Sequence, residues 1–131
     1  MITVKIFGES DMMDGMVENG AGKGMHFIVN GWCLSAQAGW GNYCSEDPTR
    51  NHCRLTKDTI RTDCEIAMWN VKNNAMIKLN EDTVMGWVSW DMVLDIVEWL
   101  RKLKKIPTKT EVRSRILELK YIYCGRENKN G

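Results

Sequence analysis

No apolar run in the chain approaches the roughly 18 residues that a membrane-spanning helix needs, and Met1–Phe7 is too short and too polar for the apolar heart of a secretory leader. Both absences predict a soluble, intracellular protein. Cysteine pairs are missing as well: Cys33, Cys44, Cys53, Cys64 and Cys124 show no CxxC spacing and are odd in number, so reduced thiols are the simplest reading. Histidine occurs only at His26 and His52. A metal site drawn from Cys44, His52, Cys53 and Cys64, with His26 across the sheet, lacks the close CxxC or HxxxH pair that usually nucleates zinc binding, and no metal is expected. His52 and Cys53 are adjacent, a spacing that seldom aims two reactive atoms at each other. The carboxylates Glu46, Asp47, Asp58, Asp63 and Glu65 follow no spacing that specifies an acid–base pair. The segment Asn19-Gly20-Ala21-Gly22-Lys23-Gly24 fails as a phosphate loop, because the spacing is wrong, no hydroxyl follows the lysine, and the next element reads as a strand. The expectation is a non-enzymatic protein with no cofactor.

What the chain does have is enough length and apolar content for a core. Its 131 residues, 44% hydrophobic and 27% charged, fit one domain that buries about two thirds of its unfolded surface. Six tryptophans and nine methionines lean towards an interaction protein, since Trp is favoured at binding hot spots and Met at adaptable surfaces. The charge is unevenly placed. Residues 1–100 carry 8 Lys and Arg against 14 Asp and Glu, a net of −6, whereas residues 101–131 carry 10 against 3, a net of +7. The basic end suits an acidic partner, the chain's own acidic body, or a second copy in a homo-oligomer.

The stretch that decides a structure by itself is Met85–Lys105. At roughly 100° per residue, Trp90, Met92, Val93, Leu94, Ile96, Val97, Trp99, Leu100 and Leu103 fall on one broad arc, opposite Asp91, Asp95, Glu98, Lys102 and Lys105. Ser89 is the expected N-cap, Pro107 the expected stop, and Glu98 sits four residues before Lys102. Met85–Val88 is an extended lead-in. After Pro107, Thr108-Lys109-Thr110-Glu111 matches a capping box, and Val112, Ile116, Leu119 and Tyr123 form the stripe of a second helix ending at Gly125. Upstream, Ile2–Phe7 has the period of a strand, and Asn30-Gly31 between Met25–Val29 and Trp32–Gln37 supplies both positive φ angles of a tight hairpin turn. Cys64–Asn70 reads as a strand whose partner, across a turn at Lys72-Asn73-Asn74, is Met76–Leu79.

Together these predict one α+β domain over residues 1–131: a small antiparallel sheet of four to six strands packed on a C-terminal helical hairpin. Residues 1–88 are mainly β with mobile loops at 8–24 and 38–63, part of the latter pairing with the sheet, extending a hairpin or making a short helix near Thr56–Arg61; residues 89–125 hold two helices, and 126–131 form a frayed tail. The arc of the first helix exceeds one sheet contact, so Met92 and Trp99 are the margin expected to be shared with the second helix or another subunit. Exposed apolar and aromatic side chains name the candidate partner contacts: Met12, Met13, Trp40, Tyr43 and Trp99. The alternative is a nucleic-acid or cyclic-nucleotide surface on the basic helix at Lys109, Arg113, Arg115 and Lys120. The aromatics Trp32, Trp40, Tyr43 and Trp69 lie instead in an acidic setting that disfavours a phosphate backbone.

The residues Phe27-Ile28-Val29-Asn30-Gly31-Trp32-Cys33-Leu34-Ser35-Ala36-Gln37, with Gly39, Gly41 and Tyr43, then Glu65-Ile66-Ala67 and Asp82-Thr83-Val84-Met85-Gly86-Trp87-Val88, resemble a pattern found in small accessory proteins of tailed bacteriophages. The likeness spans Met25–Leu103 and rests on turn and strand chemistry. It implies a phage gene product in the host cytoplasm and supplies no catalytic residue. With an acidic body able to mimic nucleic-acid charge, it gives the leading expectation: an inhibitor that binds a host protein, such as a CRISPR effector of bacterial defence. A virion or assembly component is a further alternative.

Overall fold

Asn30 (φ 48°) and Gly31 (φ 82°) make the expected two-residue turn, and the ladder it starts runs from Val29↔Trp32 to Lys23↔Ala38. The computed structural model describes residues 1–7, 23–38 and 63–130. These form β1 (Ile2–Phe7), β2 (Lys23–Val29), β3 (Trp32–Ala38), β4 (Asp63–Asn70), β5 (Val84–Ser89), α1 (Trp90–Lys102) and α2 (Lys109–Asn130). All five strands pair antiparallel in chain order, β1-β2-β3-β4-β5. The fold is the expected α+β arrangement, with the sheet against a helical hairpin.

Register sorts the side chains. Leu34 lies between Phe27 and Met68, so Phe27, Val29, Trp32, Leu34, Ala36, Ile66, Met68, Met85 and Val88 share the face that the helices cover. Met92, Val93, Ile96 and Leu100 of α1 and Val112, Ile116 and Leu119 of α2 close that core. Asp95, in the second turn of α1, accepts a hydrogen bond from Tyr123, far along α2, which sets the two helices antiparallel. Ser89 caps α1 by accepting from the Met92 amide at 3.2 Å, a bond worth about 1 kcal/mol. The capping box is reciprocal: Glu111 N donates to Thr108 Oγ1 and Thr108 N to Glu111 Oε1, both at 3.2 Å.

Four expectations need correction. Leu94, placed on the apolar arc, is 58% exposed, whereas Met92 at the other margin of the arc is fully buried. Met76–Leu79 is not a strand: it makes a single bridge, Trp69↔Met76, and then sinks Ile77 and Leu79 into the core, so β5 takes the rest of the β4 edge. Pro107 does not end α1, which stops at Lys102 with Leu103 extended. The terminator is Asn30, whose side-chain amide donates to the carbonyls of Leu100 (3.0 Å), Leu103 (3.4 Å) and Lys105 (3.1 Å). Finally, α2 continues through Gly125 to Asn130. A lone glycine in a helix costs about 1 kcal/mol, too little to break a ladder already propagating.

Candidate functional site

Helix spacing puts Trp99 on the flank of α1 that faces α2, half-buried beside the buried stripe. There the two helices leave a groove of about 460 Å³, lined by Asp95, Glu98, Trp99 and Lys102 from one side and by Arg115 and Tyr123 from the other. Charges of both signs frame an aromatic floor. Glu98 receives the Arg101 fork, with Nε at 2.9 Å from Oε2 and Nη2 on Oε1, and lies 3.6 Å from Lys102 Nζ. The Arg101 hydrogen bonds hold the Glu98 carboxyl below, and the Arg101 guanidinium above, their ordinary values. Arg115 Nη1 donates to Glu118 at 2.7 Å, while its Nε is shut away from water without a hydrogen-bond partner.

Of the expected partner contacts, Trp99 is in this groove; Met12, Met13, Trp40 and Tyr43 lie outside the described residues, as do the 8–22 and 39–62 segments and the segment expected as a short helix. The four cations of the alternative surface are not brought together. Lys109, Arg113 and Lys120 share one flank of α2 and Arg115 the other, as their spacing on a helix requires. Lys120 is also engaged, donating from Nζ to the carbonyls of Gly86 (3.3 Å) and Trp87 (2.8 Å).

Those carbonyls mark a feature that sequence reasoning missed. Between Cys64↔Val88 and Ile66↔Met85, β5 holds two residues, Gly86 and Trp87, against the single Glu65 of β4. This is a β-bulge, a device that re-aims side chains. Trp87 sits there at φ 51°, a left-handed conformation uncommon for a large residue, and is 56% exposed. The isolated Gly86 in a strand pattern was the available signal.

The opposite face of the sheet carries the histidine. His26 and Trp69 meet edge to face with ring centres 5.0 Å apart. Because His26 pairs with Ser35 and Trp69 with Cys33, the rings of β2 and β4 come together over the small side chains of β3. Burial, aided by the Lys5 charge, pushes the His26 imidazole below its ordinary range, and burial pushes the Cys33 thiol up to about 11. Cys64 points to the helix-covered face instead, its Sγ donating to the Val88 carbonyl at 3.4 Å. His26 and Cys64 therefore cannot share a metal. No group of three His, Cys, Asp or Glu side chains converges among the described residues, and none of their helices is long and apolar enough to cross a membrane.

Comparison with protein-family models, with curated proteins and with solved structures gave no match.

Proposed function

We propose that this chain works without catalysis, by binding a host protein, and that the bound protein is a component of bacterial defence such as a CRISPR effector. The observation that carries the binding reading is the groove between α1 and α2, where a half-buried Trp99 is ringed by Asp95, Glu98, Lys102 and Arg115. A tryptophan in a recess with a charged rim is the usual anatomy of an interface hot spot. The phage-like pattern, not the groove, supports the choice of partner. The nucleic-acid reading is the weaker one, because Lys120 is spent on the Gly86 and Trp87 carbonyls and Arg115 faces Glu118 on the other flank.

The test is capture from a bacterial lysate with the tagged full chain and its Trp99→Ala variant, both checked for a folded far-ultraviolet spectrum. A host protein should be retained by the first and lost at least about tenfold by the second. Equal capture, or none, would sink the groove. Expression of the chain in a bacterium with active CRISPR immunity should restore plating of a targeted phage; unchanged immunity would remove the defence assignment. Neither oligonucleotides nor cyclic nucleotides should bind in low or moderate salt.

A further inference from the structure

The side chain of Asn30 clasps the hairpin to the end of α1, and the residue that follows it is glycine. An amide –NH₂ has two hydrogens, and here they are shared among the Leu100, Leu103 and Lys105 carbonyls at 3.0, 3.4 and 3.1 Å. The Gly31 carbonyl is tied as well, accepting from Val71 N at 3.0 Å. Both sides of the Asn30–Gly31 bond are thereby fixed to other elements. A Cβ at Gly31 would meet Ile106 Cγ2 at 3.0 Å, and φ there is 82°, so the small residue that makes this bond reactive is required by the fold.

We propose that Asn30-Gly31 is a self-modification site held in check by this clasp. When the clasp opens, the deprotonated Gly31 nitrogen attacks Cγ of Asn30, ammonia leaves, and a five-membered succinimide forms. Water then opens the ring at either carbonyl, giving an aspartyl or an isoaspartyl residue. No oxidant, metal or enzyme enters the balance. In the closed state the amide nitrogen, the leaving group of this step, is held by the Leu100, Leu103 and Lys105 carbonyls, and glycine offers no side chain to block the attack once it is released.

The product cannot refasten. A carboxylate in place of the amide directs negative charge at three carbonyl oxygens on the negative end of a helix. The isoaspartyl form also adds a methylene to the backbone of a two-residue turn, which breaks the Val29↔Trp32 register. A transient opening is converted into a permanent one, so the site limits the lifetime of any molecule that opens often.

The experiment follows the full chain in mildly alkaline buffer, folded and in concentrated urea. Modification is read by mass spectrometry on the peptide that carries Asn30, since Asn19 and Asn130 also precede glycine. Asn30 should react at least about tenfold more slowly in the folded chain; equal rates would overturn the clasp. Separately, Asn30→Asp should lower the urea midpoint more than Asn30→Ala at neutral pH. The gap between these variants should close in acid, where a protonated carboxyl can donate. An Asn30→Asp chain as stable as the parent at neutral pH would overturn the consequence, and if that variant does not fold, the folded-against-urea rate ratio still decides.

Discussion

Along β3 the side chains alternate between two environments that differ in everything except dryness. Trp32, Leu34 and Ala36 meet the helices, and Leu34 and Ala36 have no exposure at all. Cys33 and Ser35 point the other way and are almost as dry, at 2% and 1%, yet what closes over them includes a histidine and a tryptophan meeting edge to face. One face is stabilised by apolar area. The other is organised by small residues that let two rings approach across a strand. Burial alone does not distinguish a core from a polar lining; the residue types do.

The widest separation between the faces should come from truncation. Leu34→Ala removes a fully buried side chain from the helix-covered face and should destabilise by about 2–5 kcal/mol. Ser35→Ala, one residue on, loses the hydroxyl that accepts from Gln37 at 3.2 Å and should stay near about 1 kcal/mol. Urea unfolding measures both, and equal losses would mean the second face is as tightly packed as the first.

A smaller difference should appear between two buried thiols. In urea below the unfolding transition, an alkylating reagent should reach Cys33 before Cys64, because opening the ring-covered face leaves the core intact, whereas Cys64 is released only with the helices. Cys64 labelled first, by peptide mapping, would reverse the order of local stability. Cys33 should still react slowly at neutral pH, its thiol being pushed up to about 11.

The polar face should also answer to acid. The His26 imidazole is depressed by burial and by Lys5, so folding favours its neutral form. That contribution is fully present above the ordinary imidazole value of 6.5 and is lost as pH falls through the lower folded value. His26→Gln should flatten the fall in stability below pH 6.5, read as urea midpoints across the acid range. An unchanged slope would show that carboxylates, not this ring, set it. The least effect is expected at the exposed rim of the groove: Glu98→Gln breaks the exposed pairs with Arg101 and Lys102 and should leave the urea midpoint nearly unchanged.

Much of this was legible in the residues because local chemistry agreed with the fold. Asn30-Gly31 announced its hairpin, Ser89 its cap, and Thr108 with Glu111 a reciprocal box, and each interaction lies within a few residues of chain. What stayed hidden was tertiary. Met76–Leu79 has the composition of a strand, but Ile77 and Leu79 gain more by entering the core than by lining an edge that β5 also seeks. The end of α1 depends on an asparagine some 70 residues earlier. The groove depends on Asp95 meeting Tyr123 across two helices, a contact no local pattern specifies, although the apolar arc puts Trp99 at the margin of α1.

Those distant ties also time the molecule's assembly. Each described strand pairs with the next one described, so the meander can grow as the chain emerges from a ribosome, but the groups that fasten Asn30 and Trp32 arrive 70 to 75 positions later. Until α1 is delivered, a row of wet apolar side chains on a nearly finished sheet faces whatever else is nascent nearby. Messages cut short before Trp90 should therefore yield inclusion bodies where the full message yields dissolved protein.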